Sequence, residues 1–312
     1  MDNPDQDSVD VIVCTRDRCQ NLALTLTKLQ RPEVTQGLDV TLTVVDNAST
    51  DATRQLIEDR DWPYLSPRYC YHGEGGLASA RNAGLAVTKN RWVVFIDDDV
   101  CPQDGWLAAM IEPLRTGRFD AVVGTIRPAD HLRRAWMGRA VASALALNDH
   151  EPVSDSVPVL IGANMALDRA VLQRVPGFDP VLDPGGLGYG GDTLFSLLLR
   201  ENRLSVGRAV DAVVDHSFHE DRLLRSSLLS STKAFARSRR YINRKYGLWR
   251  DDWPAFKAIA ILIKLGVYYA THPLVFAQRE GCSNREFKLR NRLAYYCSAW
   301  RRTNARNERG NR

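Results

Sequence analysis

The stretch "WVVFIDDDVCP", Trp92 to Pro102, decides the architecture: an apolar run of strand-forming residues leads straight into three consecutive aspartates and then a proline. An apolar run without polar alternation suits a strand covered on both faces, the habit of parallel sheets. Three adjacent carboxylates repel one another, and the cost grows as water is removed, so a folded chain keeps them solvated or neutralised by a cation. One reading is an acidic turn capping a helix that starts near Pro102. The other is a divalent metal site, because Mg²⁺ and Mn²⁺ are hard ions that take carboxylate oxygens and share them with substrate phosphates.

The flanking sequence repeats the same plan. "VDVIVC" (Val9 to Cys14) is a β-branched run followed by Leu22, Leu26 and Leu29 at helical spacing. "VTLTVVD" (Val40 to Asp46) precedes a helix for which Ser49 or Thr50 is the expected N-cap. "RYCYH" is a short strand, "GEGG" a turn, and "LASARNAGLAV" a helix with Leu77, Ala80, Gly84 and Val87 on one face. "AVVG" (Ala121 to Gly124) is a further strand, and "VLIGANMALD" another, with a helix expected from about Asp168. Residues 127–158 read as an irregular insertion containing a helix around His131 to Leu147. The glycine-dense "DPGGLGYGG" leads to Asp192 at the start of a helix. This alternation predicts an α/β fold with a mainly parallel central sheet flanked by helices. Ligands bind such sheets beyond the carboxyl ends of the strands. Thr15, Arg16 and Asp17 follow the first strand, Asp46 and Asn47 the second, and Asp97 to Asp99 the fourth.

With 312 residues, 44% hydrophobic and 25% charged, the chain has ordinary globular composition. Its six cysteines show no C-x-x-C spacing, which argues against a zinc site or a disulfide framework. The acidic, polar start lacks the form of a signal peptide, so a cytoplasmic location is expected. Net charge is +5, yet Arg279 to Arg312 alone holds ten Lys or Arg against three acidic residues. No nucleic-acid-binding signature accompanies this basic tail, and no nucleic-acid partner is expected. In the apolar segment "AIAILIKLGVYYATHPLVFAQ", the uncharged run from Leu265 to Gln278 is fourteen residues with Pro273 inside. A spanning helix needs roughly 20 residues. The segment therefore reads as a helix packed on the protein or, with the basic tail, as a peripheral membrane contact through residues 254–312.

"VIVCTRDR", "VVDNASTDAT", "GLASARNAGL", "VVFIDDDV", "IGANMALDRAVLQRVPGFDP" and "GYGGDTLFSLLLR", in this order, resemble a family 2 glycosyltransferase of the GT-A fold over about Val9 to Asp221. The resemblance implies a transferase domain over residues 1–221, with a nucleotide-binding half at about 9–126 and an acceptor-binding half at about 127–221. A helical, basic extension follows at 222–312. It also implies metal-dependent, inverting transfer of a sugar from a nucleoside diphosphate sugar to a hydroxyl acceptor. Asp97 and Asp99 match the D-x-D motif that holds Mn²⁺ or Mg²⁺, and Asp98 would face the donor. Asp46 matches the base-binding aspartate, Thr15, Arg16 and Asn47 lie among the expected nucleoside contacts, and Arg81 matches an arginine near base and phosphate. Asp192 matches the catalytic base. In "VVDHSFHED", His216 is favoured over His219 as a further metal ligand.

Each assignment has a physical basis. A divalent ion stabilises the negative charge of a departing diphosphate. A carboxylate at position 46 can accept the imide N–H of uracil or thymine or the N1–H of guanine, so UDP, dTDP and GDP sugars all remain open. Inverting displacement needs one carboxylate beside the acceptor hydroxyl to take its proton. Two departures stand out: Gly191 occupies the position of a common glutamate and Leu194 that of a frequent carboxylate, which leaves Asp192 as the expected sole acid of its loop. The acceptor is open among a saccharide, a lipid-linked saccharide and a small molecule. Alternatives are a nucleotidyltransferase, against which "CTRDRCQN" offers no glycine-rich phosphate loop, and a non-catalytic nucleotide-sugar-binding protein on the same scaffold.

Overall fold

The computed structural model describes residues 8–35, 37–150, 158–247 and 253–310. The strands are β1 (Ser8–Thr15), β2 (Asp39–Asp46), β3 (Arg68–Tyr71), β4 (Trp92–Asp97), β5 (Val100–Pro102), β6 (Ala121–Pro128), β7 (Asn164–Asp168) and β8 (Val206–His216). The helices are α1 (Cys19–Leu29), α2 (Pro32–Thr35), α3 (Thr53–Glu58), α4 (Leu77–Val87), α5 (Trp106–Arg115), α6 (Arg139–Ala144), α7 (Gly191–Glu201), α8 (Arg225–Tyr246), α9 (Pro254–Thr271) and α10 (Asn284–Gly310). All eight strands join one sheet in the order β3-β2-β1-β4-β7-β6-β8-β5.

Four of its seven pairings are parallel, in keeping with a mainly parallel sheet. The antiparallel pairings are those of β7 with β4 and β6, and of β5 with β8. The apolar run of β4 and that of β1, which Asp10 interrupts, are buried along nearly their whole length, as strands covered on both faces require. Helix α4 packs close to this half of the sheet because Gly84 has no side chain: a Cβ there would stand 2.7 Å from Ile12 Cγ2. Phe178 ties the central core together, edge-on to Phe95 at 5.5 Å and tilted against Phe195 at 4.7 Å.

Several local expectations change. Ala52, rather than Ser49 or Thr50, is the N-cap of α3 and offers no side-chain cap, while Asp51 just before it accepts the Thr53 N–H at 3.1 Å. Val87 is exposed, and the buried face of α4 instead includes Arg81. The helix expected near Pro102 begins at Trp106 as α5, with Gly105 at its N-cap, and the aspartates lead into β5 rather than capping that helix. The segment around His131 to Leu147 holds a 3₁₀ turn and the short α6, and Asp168 caps a 3₁₀ turn rather than an α-helix. In both places Gly138, Pro176 and Gly177 leave too little chain for longer helices.

The chain divides into two compact units. One comprises Met1–His131, Ala146–Gly186 and Gly191–Phe218 and contains the sheet; the other comprises Leu132–Leu145, Leu187–Gly190 and His219–Arg312. In the second unit Arg225 and Glu286 form a buried ion pair, with Nη1 2.8 Å from Oε2. There α9 turns Ile261 and Leu265 toward Leu289 of α10.

Candidate active site

Strand register brings the first polar groups together. Thr15 lies opposite Asp46 in the β1–β2 pairing, and Cys14 opposite Asp97 in the β1–β4 pairing, so three parallel strands end almost level. Just beyond, the Thr15 hydroxyl donates to Asp98 Oδ2 at 2.6 Å. Arg18 places one nitrogen 3.0 Å from Asp98 Oδ1 and 2.9 Å from Asp99 Oδ2. Asp98 and Asp99 are both buried. Burial and the neighbouring Asp99 push Asp98 up to about 6, against the pull of Arg18 and Thr15. Arg18 escaped the sequence reading although it stands in the same "TRDR" loop as Arg16; a pairing across 80 residues leaves no local signal.

His216 reaches this cluster through β5. Val100 pairs with His216 in the β5–β8 ladder, and the Ser217 N–H donates to the Asp99 carbonyl at 2.8 Å. The buried His216 ring therefore sets Nε2 3.2 Å from Asp99 Oδ1, while its Nδ1 has no hydrogen-bond partner among the described residues. His219 is exposed, 3.3 Å from Asp221.

A second cluster surrounds Arg81, which is 3% exposed. Its guanidinium lies 2.7 Å from Asp192 Oδ1, 3.5 Å from Asp183 Oδ2 and 3.6 Å from Asp97 Oδ1. Arg81 and Asp183 are buried and Asp97 and Asp192 partly so, unlike the surface salt bridge that an isolated helix arginine would suggest. Burial raises the Asp97 carboxyl, and the Arg81 charge opposes the rise. The other Asp192 oxygen accepts the Gly162 N–H at 2.8 Å. Gly162 leaves room for the guanidinium, because a Cβ there would fall 1.8 Å from Arg81 Nη2 and force it to shift.

Asp192 is not the sole acid of its loop. Asp183, which heads the glycine-dense segment, is buried and accepts the Gly191 N–H at 2.7 Å. A Cβ on Gly191 would stand 1.9 Å from Asp183 Oδ2, so the Asp183 carboxylate fills the space beside Gly191. Burial and the Asp192 charge push Asp183 up to about 6. The sequence did contain a signal, an aspartate opening a glycine loop, but not the fold-back that turns it toward Gly191.

The third group is the Asp46 end. Asp46 is buried and accepts the Ser49 N–H at 2.8 Å and the Tyr69 hydroxyl at 2.7 Å. Tyr69 was invisible in sequence, since it depends on the parallel pairing of β3 with β2. Burial first, and then the bond to Asp46, raises the Tyr69 hydroxyl above its ordinary value. Asn47 is buried with its Oδ1 lacking a hydrogen-bond partner among the described residues. Arg16 is exposed, 3.7 Å from Asp17, and a Cβ on Gly75 would come within 3.3 Å of it. Asp17, in a left-handed conformation at φ 52°, accepts the Thr50 N–H at 2.7 Å and laces this loop to the one after β2.

Among the described residues no three His, Cys, Asp or Glu side chains are gathered closely enough to cage a metal by themselves. The donor chemistry nevertheless fits a divalent ion. Asp97 and Asp99 offer hard oxygens and His216 an imidazole, and Mg²⁺-like ions commonly bind one or two carboxylates together with substrate phosphates.

A sheet of this order, with carboxylates, arginines and a histidine gathered beyond its parallel strand ends, defines a GT-A type α/β protein. The chain belongs to glycosyl transferase family 2, whose model matches residues 10–175. It is 30% identical over 120 residues to the succinoglycan biosynthesis protein ExoM of Rhizobium meliloti, covering 38% of each chain. It is 27% identical over 192 residues to a pre-mycofactocin glycosyltransferase of Mycobacterium tuberculosis, covering 58% of this chain and 38% of that one. The chain thus spans well under half the length of these curated relatives. Among solved structures, the Pyrobaculum calidifontis mannosyltransferase PcManGT, in complex with GDP-Man and Mn²⁺, superposes with a TM-score of 0.53 at 21% identity, covering 95% of this chain and 75% of the other. An S. aureus TarS fragment gives 0.51 at 18% identity, covering 81% and 69%.

Proposed function

We propose that the protein transfers a sugar, with inversion, from a UDP, dTDP or GDP sugar to a hydroxyl acceptor. The observation that carries this reading is one guanidinium spanning two carboxylates: Arg81 lies 3.6 Å from Asp97 and 2.7 Å from Asp192. A group suited to the donor diphosphate and a group suited to the acceptor hydroxyl thus stand within reach of one side chain. Family membership favours this reading over the nucleotidyltransferase and binding-protein alternatives.

In this scheme Asp46 accepts a ring N–H of the base, with Tyr69 and the Ser49 N–H orienting its oxygens. Thr15, Arg16 and Asn47 line the nucleoside end, and Asp98, anchored by Thr15 and Arg18, faces the donor. Asp97, Asp99 and His216 would hold Mn²⁺ or Mg²⁺, which when bound supplies charge stabilisation to the departing diphosphate. Asp192 takes the acceptor proton as the hydroxyl oxygen bonds to the anomeric carbon and the bond from that carbon to the diphosphate breaks. Arg81 and the Gly162 N–H fix one oxygen of Asp192 each, a positioning task.

Titration calorimetry with UDP, dTDP and GDP, each with and without Mn²⁺, tests the donor half. One nucleotide should bind in a metal-dependent manner, and Asp46→Ala should remove that binding. Failure of all three nucleotides to bind with metal present would overturn the reading.

A further inference from the structure

We infer that the outward face of α9 is a docking surface for an anionic lipid bilayer, on which the helix lies flat. This inference stands independently of the sugar-transfer reading. Helix α9 is apolar on two opposite faces. One face, Ala258, Ile261, Leu265 and Tyr268, is buried, with Ile261 and Leu265 packed against Leu289 of α10. The other presents Phe256, Ile259, Ile263 and Val267 to solvent, with exposures of 71%, 56%, 63% and 55%. At 100° per residue these four form a single stripe opposite the packed face. Trp253 before the helix and Leu274 after it prolong the apolar surface at 79% and 80% exposure.

Charge selects the occupant. Residues 219–312 hold 21 Lys or Arg against seven Asp or Glu, a net +14 on a chain of +5, so the rest of the chain carries −9. Lys264, one residue past Ile263 and exposed, sits at the edge of the stripe. A second copy docking on this face would bring two strongly basic regions together. An anionic surface offers both an apolar layer for the stripe and opposite charge around it.

The helix lies on the bilayer rather than crossing it. Its 18 residues are long and apolar enough to cross by length and composition alone, so the packed face decides. That face is tied to charged groups. The Tyr269 hydroxyl donates to Glu286 Oε1 at 2.7 Å and accepts from Arg290 Nε at 2.8 Å, and Glu286 is paired with Arg225. Crossing would carry these charges into hydrocarbon or strip them from the helix.

The test is flotation of the full chain with vesicles of phosphatidylcholine alone or of equal parts phosphatidylcholine and phosphatidylglycerol. The protein should float with the anionic vesicles and much less with the neutral ones, and raised salt should weaken the association. The double variant Phe256→Ser, Ile263→Ser should lose about tenfold or more of the partitioning, since binding scales with buried apolar area. Both residues are exposed, so its thermal unfolding should match wild type. Val210→Ser, which alters an exposed valine on β8, should float like wild type. Any of three results would overturn the inference: no flotation, flotation that the double variant leaves intact, or resistance to alkaline carbonate extraction as for a spanning helix. Concentration-dependent dimerisation that the double variant abolishes, without lipid binding, would assign the face to a second copy instead.

Discussion

Arg81 Nη1 lies 2.7 Å from Asp192 Oδ1, and both side chains belong to a pocket of four charged groups with Asp97 and Asp183. Residues 97 and 192 are far apart in sequence and on different elements. A buried guanidinium on α4 holds them in one geometry, and its removal leaves carboxylates with no compensating charge.

Arg81→Met is therefore expected to destabilise the fold by about 3–5 kcal/mol, the cost of breaking a buried ion pair by removing one partner. Urea unfolding followed by circular dichroism measures it. A loss below about 1 kcal/mol would mean that water already screens the cluster.

Glycine substitutions separate close packing from helix propensity. Gly162→Ala should cost about 1–3 kcal/mol, because its Cβ would fall 1.8 Å from Arg81 Nη2. Gly266→Ala, within α9 and with nothing within 4 Å of its Cβ, should stabilise by about 0.5–1 kcal/mol. Paired thermal unfolding curves check the opposite signs.

The gathering of polar residues at one sheet edge was legible in the sequence, for a physical reason. Parallel strands end level, so polar residues after consecutive apolar runs must gather at one edge; Thr15, Asp46 and Asp97 do so. What it did not carry depends on chain reversal. His216 was a candidate by position alone, and only the β5–β8 pairing explains why it meets Asp99. Asp183 has no sequence signature of its own, because its contact arises from a loop folding back onto Gly191, which no periodicity encodes. After Asp168 the chain reaches the Pro176–Gly177 stop within a few residues, so the expected helix closes as the 3₁₀ turn Arg169–Gln173.

Asp183 gives a pH signature. Its carboxyl is pushed from 3.8 up to about 6, so the folded protein binds that proton more tightly than the unfolded chain does. Ionisation between these values therefore lowers folding stability as pH rises from about 4 to about 6, by as much as ~3 kcal/mol for a shift of this size. Asp183→Asn should flatten the stability profile in that window relative to wild type. Parallel slopes for the two proteins would contradict the burial argument.

Tyr69→Phe removes a hydroxyl that donates to the buried Asp46 at 2.7 Å. A fall of about 1–2 kcal/mol in stability is expected, together with weaker nucleotide binding, since Asp46 loses one of the bonds that orient it. Calorimetry and denaturant unfolding on the same preparation report both effects.

The most direct measurement compares Asp192→Asn with wild type for release of nucleoside diphosphate in the presence of acceptor, alongside metal-dependent binding of the same nucleotide. Loss of a general base should cut turnover by about 10²–10⁴-fold. Nucleotide binding should stay within about twofold of wild type, while Asp99→Ala, at the other end of the site, should lose binding as well. Turnover of the Asp192 variant within a few-fold of wild type would contradict the account at its centre.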